Sequence, residues 1–313
     1  MSLAFVFPGQ GSQVVGMGVS LAEAFPRARE VFAAVDDALG QHLFRLMKEG
    51  PEEELTLTEN AQPALMAVSL AVMRTLENDF NVTVDGAAFV AGHSLGEYSA
   101  LAAAGALTLE DAAKLLKLRG QAMQRAVPVG EGAIAALIGK VDVALAEQIA
   151  EAGSKAGVCV VANDNNVGNV VISGSAKGVA AGIEYAKTQG VRAIPLNVSA
   201  PFHSPLMQPA AEAMAEALTV AAIAAPLCPV VANVTARPTS DPDTIRRLLV
   251  EQVTGRVRWR ESVLWMVESG GATKFAEAGA GKVLTAMCKR LAPDAEAIAL
   301  NTPPDLEEFA ATL

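Results

Sequence analysis

Aromatic residues are scarce in this chain: phenylalanine, tyrosine and tryptophan make up 4% of its 313 residues, against a hydrophobic share of 51%. Alanine, valine and leucine must therefore fill the core, and the length suffices for one large domain or two ordinary ones. Basic charge is in deficit, with 24 Lys and Arg against 34 Asp and Glu and a net charge of −10. That balance argues against a nucleic-acid binder, because a phosphate backbone is held by clustered cations. Cysteine is limited to Cys159, Cys228 and Cys288. They are too far apart for a metal-ligand spacing and odd in number, so reduced, mostly buried thiols and no metal site are expected. The N-terminal stretch Leu3–Phe7 is apolar but has no basic region ahead of it, and it ends at Pro8-Gly9, which suits a first strand better than a signal peptide. The most apolar long window, residues 217–234, is interrupted by Thr219, Pro226, Pro229 and Asn233, so it predicts a helix end, a turn and a buried strand instead of a membrane span. No internal repeat or low-complexity tract is present. A soluble, cytoplasmic protein without membrane contact is the expectation.

What is present is an alternation of strand and helix signals. The first strand is followed by a glycine turn at 9–11. A helix is expected over 62–80, with Pro63 in its first turn, where a missing N–H costs nothing. Thr108-Leu109-Glu110-Asp111 is a capping-box pattern opening a helix that runs to about 126. The middle of the chain changes character. Strands are expected at 132–139, 158–162, 169–173 and 192–198, and helices at 143–152 and 177–189, with a polar loop at Asn163-Asp164-Asn165-Asn166. This β-α-β-β-α-β order is the ferredoxin-like split unit. The expected architecture is thus α/β: a large α/β-hydrolase-like domain over 1–127 and 199–313, interrupted by a ferredoxin-like small subdomain over 128–198. A cleft between two such lobes is a usual place for a small-molecule site.

The chemistry concentrates at Gly92-His93-Ser94-Leu95-Gly96, a G-x-S-x-G pattern between a short apolar run and a stretch of helix formers. In that context the pattern predicts a nucleophile elbow, which exposes the Ser94 hydroxyl beside the free N–H groups of a helix start. A serine nucleophile needs a base, and the chain has three histidines. His42 lies far from any catalytic signature. His93 adjoins Ser94, where neighbouring side chains point apart. His203, flanked by Pro201 and Pro205 directly after a predicted strand, remains as the candidate base. No acidic residue carries a signature for orienting it; a carboxylate or an amide oxygen would serve. Arg119 is unusual because it falls within the apolar arc of the 109–126 helix, with Leu109, Ala112, Leu116 and Met123. A cation facing a core needs an anion: either an internal Asp or Glu, or a substrate carboxylate gripped by the guanidinium fork. Pro8-Gly9-Gln10-Gly11 fails as a dinucleotide fingerprint because Val14 stands at the third glycine position. Its turn could instead present the Gln10 N–H, with that of Leu95, as an oxyanion hole.

Taken together, Phe7-Pro8-Gly9-Gln10-Gly11-Ser12-Gln13, Gly92-His93-Ser94-Leu95-Gly96-Glu97-Tyr98, Arg119-Gly120, Val198-Ser199-Ala200-Pro201-Phe202-His203-Ser204 and Glu251-Gln252-Val253 resemble the malonyl-CoA:acyl carrier protein transacylases of bacterial fatty acid synthesis. The acyltransferase domains of polyketide synthases share most of these motifs but normally belong to far longer chains; an esterase or thioesterase would share Ser94 and His203 without explaining Arg119. A non-catalytic acyl-CoA or carrier-protein binding module is the reading of a different class. The resemblance implies a ping-pong transfer through malonyl-Ser94, with His203 as base, Arg119 clamping the malonyl carboxylate, and Gln10 and Leu95 forming the oxyanion hole. It also implies that the main-chain carbonyl of Gln252 orients His203 and that Asn163 is a cleft residue. Phe202, beside the base, either narrows the space near the malonyl α-carbon or simply packs. No cofactor is implied, since coenzyme A arrives as part of the substrate. The carrier protein is the expected macromolecular partner, docking on a local basic patch drawn from Lys282, Lys289, Arg290, Lys187 and Arg192, and the enzyme is expected to be a monomer.

Overall fold

The computed structural model describes residues 2–196 and 200–313. Two sheets organise the chain. The larger is built from β1 (Leu3–Phe7), β2 (Phe89–Gly92), β7 (Val230–Ala232), β8 (Arg237–Thr239), β9 (Lys274–Ala278) and β10 (Glu296–Leu300), in the order β10-β9-β1-β2-β7-β8. All its pairings are parallel except β7 with β8, which is antiparallel, so the sheet is mixed. In β1 every residue is buried. Phe5 and Phe7 enter one core with the long helices Thr58–Phe80 and Leu109–Arg125, while Ala4 and Val6 enter another with Trp259, Val263 and Phe275. An unbroken apolar run is what a strand covered on both faces requires.

The smaller sheet contains β3 (Gly132–Ile138), β4 (Cys159–Asn166), β5 (Asn169–Ser175) and β6 (Arg192–Pro195), ordered β4-β5-β3-β6 with every pairing antiparallel. The helices Val143–Ser154 and Ala176–Thr188 follow β3 and β5 in the chain. Ala135, Leu137 and Ile172 pack on one face of this sheet among residues of those helices, whereas Ile134, Ala162 and Val171 form a separate cluster with Phe202. That second face looks toward the large sheet's functional end.

Three expectations about local structure change. The helix placed at 62–80 begins at Thr58, so Pro63 lies inside it instead of in its first turn. A proline there forfeits one main-chain hydrogen bond, but the surrounding turns are buried without interruption from Asn60 to Met73, and that packing outweighs the loss. The polar segment 163–166 is strand, not loop: β4 runs through it with two register shifts against β5. Asp164 within it is met by the segment 257–260, since Asp164 N donates to Val257 O, its carboxylate pairs with Arg260 at 2.8 Å, and Val257 N donates to Ala162 O. The strand placed at 192–198 is seen from Arg192 to Pro195. Residues 197–199, including Val198 and Ser199 of the histidine motif and the expected domain junction at 198/199, lie outside the described residues.

Candidate active site

The site grows from the carboxyl end of β2. Ser94 has φ 54°, in the left-handed region, and the helix Gly96–Ala103 starts two residues later. Glycine is required on both sides of the turn. A Cβ on Gly92 would lie 1.9 Å from the Gly96 carbonyl, and one on Gly96 would lie 2.3 Å from Phe7 O. The same crowding brings the first glycine turn onto the elbow: a Cβ on Gly9 would sit 2.7 Å from His93 O. Gln10 and Leu95 thus border one cavity, and neither backbone N–H finds a backbone acceptor among the described residues. The Gln10 side chain donates to Thr58 Oγ1 at 3.2 Å.

Ser94 Oγ lies 2.8 Å from His203 Nε2. The Nδ1 side of that ring faces two carbonyl oxygens, Gln252 O at 2.9 Å and Gly255 O at 3.1 Å. Carbonyls only accept, so the proton sits on Nδ1 and leaves Nε2 as the acceptor for the serine hydroxyl. Burial, reinforced by the nearby Arg119 cation, lowers the His203 pKa to about 3. The free imidazole is therefore neutral and competent as a base across the physiological range. His203 itself has φ 55°, and Ser204 Oγ donates to Pro201 O at 2.7 Å, tying down the turn that carries it. Among the described residues no carboxylate touches the ring: the open third position is filled by main-chain oxygens.

Arg119 is 1% exposed, as its place in the apolar arc predicted, but its hydrogen-bond partners are neutral. Nη1 donates to Gln62 Oε1 at 2.9 Å, and Nη2 donates to Gln252 Oε1 at 2.9 Å and Ser94 Oγ at 3.1 Å. Nε is buried without a hydrogen-bond partner among the described residues. The guanidinium carbon stands 5.8 Å from the Tyr98 ring centroid. Among the described residues no carboxylate is paired directly with this cation. The alternative of an internal acidic partner is therefore not realised as a contact, and a donor remains available beside the nucleophile.

His93, set aside as a base, turns away toward the small sheet, with Nε2 2.9 Å from Asn165 Oδ1. His42 is exposed at the start of the helix Leu43–Glu49. Asn163 borders the cavity, as do Ile134 and Val171 of the small sheet and Phe202. The cavity has a volume of about 930 Å³, within the range of small-molecule sites. Sequence reasoning missed three residues. Gln62 is an acceptor for Arg119. Asn233 accepts from Ser94 N at 2.8 Å and donates to Gly92 O at 2.7 Å, pinning the elbow. Glu97, 2% exposed, accepts from Asn233 N and Gln252 Nε2, both at 2.9 Å. A signal for Asn233 existed, in that a polar residue directly follows the buried run Val230–Ala232. Glu97 is acidic in a helix that is otherwise Gly, Ala, Leu, Ser and Tyr.

Comparison with known proteins bears on this geometry. An acyl transferase domain model matches residues 4–302. The malonyl CoA-acyl carrier protein transacylase of Bacillus subtilis is 45% identical over 99% of this chain and 97% of its own. The chain belongs to the malonyl-CoA:acyl carrier protein transacylase family. Its fold is that of other family members: the acyl-carrier-protein S-malonyltransferase of Bartonella henselae superposes with a TM-score of 0.97 at 52% identity, covering 100% of this chain and 99% of that one. A malonyl-transacylase solved in complex with a type II polyketide acyl-carrier protein superposes with a TM-score of 0.96 at 39% identity over 100% of both chains. No helix among the described residues is long and apolar enough to cross a membrane.

Proposed function

We propose that this chain takes the malonyl group from malonyl-CoA onto Ser94 and passes it to the phosphopantetheine thiol of acyl carrier protein, supplying malonyl units for fatty acid synthesis. In the first half-reaction His203 Nε2 removes the Ser94 proton as Oγ attacks the thioester carbonyl. The tetrahedral oxyanion is held by the Gln10 and Leu95 amides, and the proton returns to the departing coenzyme A sulfur. The second half-reaction repeats these steps with the carrier thiol as nucleophile. Gln252 O keeps the imidazole in the required tautomer. Arg119 receives the free malonyl carboxylate, and Asn163 borders the acyl path. The observation that carries this reading is a buried arginine, without a contacting carboxylate among the described residues, 3.1 Å from the serine hydroxyl. An esterase has no use for such a cation.

In this reading the large sheet and its helices form an α/β-hydrolase-like domain over 1–127 and 199–313, with a ferredoxin-like insert over 128–198; the sheet order β4-β5-β3-β6 and the β-α-β-β-α-β sequence support it. The protein works in the cytoplasm as a monomer, with no metal or cofactor. The carrier protein docks on a basic patch from Lys282, Lys289, Arg290, Lys187 and Arg192, all of which are exposed. Lys282 has the best claim, because the neighbouring Gly281 approaches Ser12 at the cleft's first glycine turn. Lys187 has the weakest, since Glu184 pairs with it at 2.6 Å. Intact-protein mass spectrometry after malonyl-CoA, and again after carrier protein, tests the whole scheme. A malonyl adduct on Ser94 that is discharged only by carrier protein is expected, and Ser94→Ala should carry none. Rapid loss of the adduct to water would make the protein a thioesterase.

A further inference from the structure

The Gln252 side chain stands between two buried ionisable groups, Glu97 and Arg119. Its Nε2 faces acceptors, Glu97 Oε2 at 2.9 Å and Ser94 O at 3.0 Å, while its Oε1 accepts from Arg119 Nη2 at 2.9 Å. A carboxylate cannot donate when ionised and a guanidinium cannot accept, so these neighbours fix the amide in one orientation. Glu97 is also held by the Asn233 N–H, and Asn233 in turn holds Ser94 N. A buried cation is costly without an anion nearby, and Glu97 is the acidic group whose charge Arg119 feels, together with the Tyr98 phenol.

We propose that Glu97 is a positioning residue for malonyl selectivity: through the Gln252 amide it serves as counter-charge to Arg119 in the empty pocket, and it takes up a proton when the malonyl carboxylate replaces it in that role. The inference rests on the reading of Arg119 as the carboxylate clamp. Two anions facing one cation in a dry pocket repel, so the arriving carboxylate drives Glu97 toward its neutral form. The proton comes from solvent. Acyl transfer itself is neutral, because the Ser94 proton ends on the coenzyme A thiol. Other groups do not supply the effect. The strands β1, β2 and β7 that pack on the Glu97 helix contain no titratable side chain. Of the helix Thr58–Phe80, Glu59 is tied to Lys117, and Arg74, Glu77 and Asp79 are exposed. From the helix Leu109–Arg125, Arg119 is the charge that acts on Glu97. Burial holds Tyr98 and His203 neutral, and it already favours the protonated form of Glu97, whose pKa is raised to about 7.

The test is proton uptake from weakly buffered solution with an indicator dye, normalised to acyl-enzyme measured by mass spectrometry. At about pH 8, malonyl-CoA should drive uptake approaching one proton per malonyl-enzyme in the wild type, and acetyl-CoA should drive none. The KM for malonyl-CoA should climb by up to about tenfold per pH unit above neutrality, with kcat much less affected. E97Q should show neither the uptake nor the KM slope. No uptake by the wild type, which needs no variant to fold, overturns the proposal, and so does equal uptake by E97Q. An R119A control separates the two claims. If it keeps the preference for malonyl over acetyl groups, the clamp reading falls. If it loses that preference while wild type and E97Q take up equal numbers of protons, only the role of Glu97 falls.

Discussion

At the scale of single residues, the site depends on a few buried groups whose charge states are set by their surroundings. Arg119 meets neutral oxygens and keeps Nε unpartnered, so it rewards a substrate that brings its own carboxylate. An acetyl group brings none and forgoes that direct pairing, a penalty of about 3–5 kcal/mol by analogy with broken buried pairs. Arg119→Ala should accordingly lower kcat/KM for malonyl-CoA by roughly two to four orders of magnitude while sparing acetyl-CoA. Equal losses on both thioesters, in steady-state assays with each, would reject the clamp. His203 and Glu97 make opposed contributions to stability. His203 drops from 6.5 to about 3 on folding, so its contribution is full above 6.5 and is lost as pH falls toward 3. Glu97 rises from 4.5 to about 7, so its contribution is full below 4.5 and is lost as pH rises through 7. The two slopes offset each other in between. Urea unfolding of E97Q should therefore gain on the wild type as pH rises across that window, by roughly 1.4 kcal/mol per pH unit. A pH-independent difference would show that Glu97 is ionised in both states.

Among the elements, the elbow is where local sequence and backbone geometry meet. The strand β2, the left-handed Ser94 and the helix Gly96–Ala103 form a unit because glycines at 92 and 96 let their backbones touch. Gly92→Ala would force the strand and helix apart, and we expect it to cost more than about 2 kcal/mol in unfolding free energy, as overpacking a tight contact does. Acyl-enzyme formation should fall with it. A variant of wild-type stability, by thermal or urea denaturation, would show that the turn can relax. The helix Leu109–Arg125 was legible from its capping pattern and apolar arc: Thr108 Oγ1 accepts from Asp111 N at 3.0 Å, and Gly120 lets it approach the turn at Thr58 and Glu59. By contrast, β4 was misjudged past residue 162. Asn and Asp disfavour strands on intrinsic grounds, and nothing within a local window reveals that Val257 and Arg260 will satisfy them.

At the scale of the whole molecule, the two sheets are stitched together. Asp164 is fully buried and its charge is met by Arg260, with backbone hydrogen bonds between 164, 162 and 257 beside it; Glu147 adds a pair with Arg256 at 2.8 Å. This stitching holds Asn163 and Asn165 at the border of the cavity that Ser94 also lines. Arg260→Met would strand a buried carboxylate, and a loss of about 3 kcal/mol in stability is expected. Amide exchange should increase first in β4. Unchanged exchange there would show that the lobe is held by apolar packing alone.

From the sequence alone came those parts of the site set by neighbours along the chain. The elbow follows from glycine spacing, the burial of Arg119 from a helical period, and the choice of His203 from the scarcity of histidine. These are short-range properties, because backbone sterics and side-chain periodicity act over a few residues. Tertiary structure decided the partners. Ser94 meets His203 across 109 positions, Arg119 meets Gln252 across 133, and Gln252 meets Glu97 across 155. It placed the Gln252 carbonyl on His203, as the family resemblance implied, added that of Gly255, and alone decided that the buried arginine lacks a contacting carboxylate among the described residues. Those outcomes depend on which hydrogen-bonding groups are packed together out of water, and no local stretch of sequence carries that information.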